Sequence, residues 1–157
     1  MMLAACGLLA CGDDTSSTGD ATGGSTQDGD GGPAGGLGEP VKVADVPGDD
    51  RVPLHLYVSN QSWDPELVDI RVFIDGVEVV AGDFAVEGQH NWMRFDLLVP
   101  RGSLEVRAEA LDGEVVLEQT LEVPAEHWAV LDYWYYPGED PAPFLQLTGS
   151  DEPVAFG

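Results

Sequence analysis

Asp75-Gly76 stands between two runs of alternating apolar residues, Leu67 to Ile74 and Val77 to Ala81. An Asp-Gly pair accepts the positive φ torsions of a type I′ turn, whose twist matches that of two antiparallel strands. A hairpin closed there sets Ile74 opposite Val77, Val72 opposite Val79 and Ile70 opposite Ala81, so that one side is apolar throughout. The other side, with Phe73 against Glu78 and Arg71 against Val80, reads as a wet face. Asp112-Gly113 repeats the arrangement between Leu104 to Ala110 and Glu114 to Val123. Its register sets Leu104 opposite Leu121, Ala108 opposite Leu117, Ala110 opposite Val115 and Arg107 opposite Glu118. Only Gln119 interrupts the inner side. Hairpins with one apolar face must be covered by a second layer, which points to packed sheets.

The remaining chain supplies those strands. Val41 to Val46 reads as an edge strand closed by Pro47-Gly48-Asp49-Asp50. Val52, Leu54, Leu56 and Val58 alternate with the outward Pro53, His55, Tyr57 and Ser59, and a polar loop over 59–65 follows with Trp63 exposed. After a short segment, Asp83 to Val86, and a loop over 87–91, a strand over 92–99 turns Met93, Phe95, Leu97 and Val99 inward and Trp92, Arg94 and Asp96 outward. His127 to Tyr136 holds two of the four tryptophans and three of the four tyrosines. A run apolar on both faces is either covered on both sides or shows one ring face to a partner. Phe144 to Leu147 and Val154 to Phe156 read as short final strands. About seven to nine short strands, with turns about every ten residues and no helical period, predict an all-β, antiparallel β-sandwich of immunoglobulin-like type.

Charge narrows the function. The chain has 29 acidic residues against 6 Lys plus Arg, and residues 51–157 hold 20 acids and 5 arginines, a net of −15. Phosphate binding needs a basic face and counterion release, so nucleic acid is excluded as a partner. The acids read as a solvated surface, with a divalent cation or a cationic partner as the alternative.

The leader divides the chain. Residues 1–10 are short and mostly apolar, end in Leu8-Leu9-Ala10-Cys11, and give way to Gly12-Asp13-Asp14. This resembles the lipobox of bacterial lipoproteins, with a hydrophobic residue three before the cysteine and a small one just before it. The resemblance implies cleavage before Cys11, acyl chains on Cys11, and attachment to a membrane surface of the bacterial envelope, with the outer membrane or cell surface favoured; separately, no cofactor is expected. Leu3-Ala4-Ala5-Cys6 offers a second lipobox. Because the apolar part is short and no Lys or Arg precedes it, 1–10 is expected to be a truncated signal peptide with its true start upstream. Residues 11–38 are rich in Gly, Ser, Thr and Asp with almost nothing to bury, and predict a disordered tether spanning about 30 Å. The folded domain is expected over 39–157. Both cysteines lie in the leader, so no disulfide joins the sheets. Gln27 to Gly31 places acids like the start of a calcium loop but lacks the third acid and the closing glutamate.

Catalytic chemistry is hard to assemble from these residues. His55, His90 and His127 are scattered without metal-ligand spacing. Ser103 and Ser150 lie in no nucleophile motif. Asp132, the one acid inside the aromatic run, is expected to reach an edge or to pair with an arginine. The expectation is therefore no enzyme and no bound metal, a hydrolase or metal-dependent enzyme being the weakest alternative. Trp63, Trp92, Trp128, Trp134 and Tyr136 are the candidate binding surface. They read either as a platform for a polysaccharide or envelope protein, or as packing in a structural spacer or assembly subunit.

Overall fold

The computed structural model describes residues 36–86, 91–138 and 142–156. Among these the chain forms nine strands and no helix: β1 (Val41–Lys42), β2 (Arg51–Asn60), β3 (Leu67–Ile74), β4 (Val77–Ala85), β5 (Met93–Pro100), β6 (Gly102–Ala110), β7 (Val115–Val123), β8 (His127–Trp134) and β9 (Phe144–Ser150). They make a five-stranded sheet in the order β1-β4-β3-β6-β7 and a four-stranded sheet in the order β5-β2-β8-β9. The apolar inner faces meet in one core in which Leu54, Leu56, Ile70, Phe84, Leu131 and Tyr133 are fully buried.

The second hairpin has the expected register at all four pairs, Leu104–Leu121, Arg107–Glu118, Ala108–Leu117 and Ala110–Val115. The first departs from it. Ile74 faces Val77 and Phe73 faces Glu78, but a bulge then shifts the pairing, so that Val72 faces Val80 and Ile70 faces Gly82. The extra residue lets the adjacent Val79 and Val80 both be fully buried, which strict alternation forbids. Past the bulge β4 runs on to Ala85 and absorbs the separate segment expected at 83–86.

The pairing is not wholly antiparallel: β2 and β8 run parallel, Leu54 beside His127 through to Asn60 beside Tyr133. Arg51 at the start of β2 pairs with Pro100, and Arg101 donates from Nη1 to the Pro124 carbonyl at 2.6 Å. The turn out of β7 thus lies at the end where β2 begins, and a strand entering the second sheet from there must run alongside β2.

Smaller corrections concern the ends of strands. Ser59, Asn60 and Ser62 are buried rather than looped out. Asn60 Nδ2 donates to the Phe84 carbonyl at 3.1 Å, and its Oδ1 accepts from Ser62 N and Oγ. That tie holds the crossover from one sheet to the other. Met93 at the start of β5 is exposed, β1 is only two residues long, and Val154 to Phe156 form no strand. Ahead of β1, Leu37 N and Gly38 N both donate to the Asp83 carboxylate.

Candidate functional site

Alternation along β8 decides which rings face outward. His127, Ala129, Leu131 and Tyr133 point into the core, while Trp128, Val130, Asp132 and Trp134 lie half-buried on the outer face of the four-stranded sheet. The run is therefore a core strand that shows one ring face. The same outer face receives His55, Tyr57 and Ser59 from β2, Arg94 and Asp96 from β5, and Trp92 from the residue before β5.

Three groupings stand there. In the first, His55 bridges two carboxylates, with Nδ1 2.6 Å from Asp96 Oδ1 and Nε2 2.9 Å from Glu126 Oε1. Its ring lies 5.2 Å from that of Trp128. Arg94 Nε donates to the same Asp96 oxygen at 2.7 Å. The His55 hydrogen bond, reinforced by Arg94, holds the Asp96 carboxyl below the usual carboxylate range against an opposing desolvation. In the second, Asp132 Oδ1 accepts from Ser59 Oγ at 2.6 Å and from Trp92 Nε1 at 2.8 Å. From sequence, Asp132 is expected to reach an edge or to pair with an arginine; it lies instead on β8, between β2 and β9, and accepts from a hydroxyl and an indole. In the third, the Phe156 ring stacks on Trp92 at 4.1 Å and 19°, and meets Tyr57 edge-on at 5.0 Å.

The five candidate aromatics do not form one patch. Trp92 and Trp128 flank the His55 and Tyr57 column. Trp134 and Tyr136 pair with each other at 6.1 Å, and the Trp134 Nε1 is buried without a hydrogen-bond partner among the described residues. Trp63, 70% exposed, stands on the loop after β2, its amide bonded to the Tyr135 carbonyl. Tyr57 and Phe156 are not among the candidate site residues: Tyr57 is one outward residue of an alternating strand, and Phe156, six residues beyond β9, is expected only as the end of a short strand that does not form.

The two described histidines, His55 and His127, share no site. His55 lies on the outer face and His127 inside, with Nδ1 3.0 Å from Asp151 Oδ1. Ser103 Oγ donates to Glu122 and Ser150 Oγ to the Glu152 carbonyl, so each hydroxyl serves its own turn or strand pair. No group of three His, Cys, Asp or Glu side chains among the described residues is arranged to hold a metal ion. Cys6, Cys11, Gln27 to Gly31 and His90 lie outside the described residues. Comparison with protein-family models, with curated proteins and with solved structures finds no match to this chain.

Proposed function

We propose that this chain is a lipid-anchored protein of the bacterial envelope whose β-sandwich is a non-catalytic binding module. The observation that carries the binding reading is the placement of Trp92, Trp128 and Trp134 on the outer face of one sheet, where packing between the sheets does not require them. Indole rings beside polar groups suit a partner that offers both an apolar face and hydrogen-bonding groups, such as an envelope protein or polysaccharide. The anchor rests on Leu8-Leu9-Ala10-Cys11 and the Gly- and Asp-rich stretch after it. We place the sandwich in the immunoglobulin-like class on the crossings between sheets at β1–β2, β2–β3, β4–β5, β5–β6 and β7–β8.

Acrylamide quenching of the folded protein tests the binding reading. Strong quenching with red-shifted emission is expected from rings at a wet face. The spacer or assembly reading draws on the half-burial of Trp92, Trp128 and Trp134, and emission that stays blue and unquenched beyond the share of Trp63 would favour it. Cys11→Ser tests the anchor. The variant should move from the membrane fraction to the soluble one, and a protein that stays membrane-bound would remove Cys11 as the lipid site.

A further inference from the structure

The six residues after β9 do something their sequence does not announce. From Ser150, at the far edge of the four-stranded sheet, the chain must cross β8 and β2 to bring Phe156 to Tyr57 and Trp92. Two to three strand spacings come to about 10–14 Å, and six residues reach about 20 Å when nearly extended. Residues 151–156 therefore lie as a strap over the aromatic face. Its fixings are concentrated at the near end, where Asp151 meets His127 and Glu152 exchanges two hydrogen bonds with Ser150 Oγ. Beyond Glu152, no residue through Phe156 makes a hydrogen bond to the described part of the sheet. The far end is held by rings alone, and Phe156 remains 39% exposed.

We propose that the slot between Trp92 and Tyr57 is a docking site for an aromatic side chain on an extended peptide, and that Phe156 fills it in cis until such a segment of a partner protein displaces it. The proposal rests on the reading of the domain as a binding module and narrows its partner to a peptide. Three observations support it. The slot already holds this class of ligand, a near-parallel phenyl ring on an indole with a second ring at its edge, the two geometries that aromatic pairs prefer. The Trp92 indole is fixed for stacking, since its Nε1 is bonded to Asp132 and Asp132 is in turn held by Ser59. The present occupant sits on small, weakly tied neighbours, Val154 and Ala155, so it leaves without breaking the sheet. A partner then binds with its intrinsic affinity reduced by the fraction of molecules whose strap is closed.

The test uses the full chain with Phe156→Ala and a second variant lacking residues 153–157. Opening the slot should shift tryptophan emission to the red and raise acrylamide quenching in both. A synthetic peptide of residues 150–157 added in trans should reverse both changes saturably, and the same peptide with Ala in place of Phe156 should not. Tyr57→Ala in the shortened variant should weaken that reversal. Unchanged quenching in both variants, or equal action of the Phe and Ala peptides, would overturn the proposal. The peptide titration needs no envelope partner, so failure to find one would count against the binding-module reading and not against the slot.

Discussion

Asp96 and Tyr133 show how far a single side chain's surroundings decide its contribution. Asp96 takes hydrogen bonds from His55 and Arg94, and its carboxyl titrates below the ordinary range chiefly because of His55. A carboxylate whose folded pKa lies below its unfolded value stabilises the fold fully above about pH 4 and loses that contribution as pH falls through the lowered value. Its side chain is 64% exposed, so solvent screens much of the effect. Asp96→Asn should cost about 0.5–1 kcal/mol at pH 7 and less at pH 3, read as the difference between urea midpoints. An equal loss at both values would mean that packing, not charge, is at stake. Tyr133 is the converse case. Its ring is fully buried, its hydroxyl has no partner among the described residues, and burial pushes its phenol pKa up. Removing an unsatisfied buried hydroxyl relieves a desolvation cost, so Tyr133→Phe should raise stability by about 1 kcal/mol with an unchanged m-value in urea unfolding. A loss of stability would reveal a hydrogen bond to that oxygen.

Strand β4 carries the register change and also receives the chain as it enters the domain. A Cβ built on Gly82 would lie 2.2 Å from the Pro40 Cα, a backbone atom that cannot turn aside. Gly82→Ala should therefore push residues 37–43 off β4 and cost about 1–3 kcal/mol. Amide exchange at Val43, whose N–H bonds to the Val79 carbonyl, should speed up well before the rest of the sheet opens. Exchange that stays slow would show the strand adjusting around the new methyl. The sequence makes the two hairpins plain because turn chemistry and alternation act over a few residues. It hides the bulge, since Val79-Val80 offers two apolar neighbours and either can face the core. The parallel pairing of β2 with β8 joins residues about seventy apart, and no local pattern encodes that choice. The aromatic run is ambiguous for a related reason: rings occupy both parities of β8, and the buried Ala129 and Leu131 settle which tryptophans face out only once the sheet is paired. Trp92 and Trp128 were thus legible as candidates, while the ring that covers Trp92 was not.

At the scale of the whole molecule, like charges oppose the fold that the core favours. Residues 51–157 carry 20 acids against 5 arginines. Arg71, Arg94, Arg101 and Arg107 are already in ion pairs, and Arg107 alone serves both Glu109 and Glu118. The unpaired acids remain in excess, so repulsion among them outweighs the attraction that salt would also weaken. The screening length falls from about 30 Å at 0.01 M salt, comparable to the size of the domain, to about 8 Å at 0.15 M. Thermal stability should therefore rise with sodium chloride over that range, by a few degrees for each kcal/mol of repulsion relieved. A flat or falling melting temperature would mean that the ion pairs, not the excess acids, dominate the surface. Calcium chloride at matched ionic strength distinguishes general screening from a specific site: screening predicts equal curves for the two salts, whereas a cation held by the acidic chain would lift the calcium curve at submillimolar concentrations, where ionic strength has hardly changed.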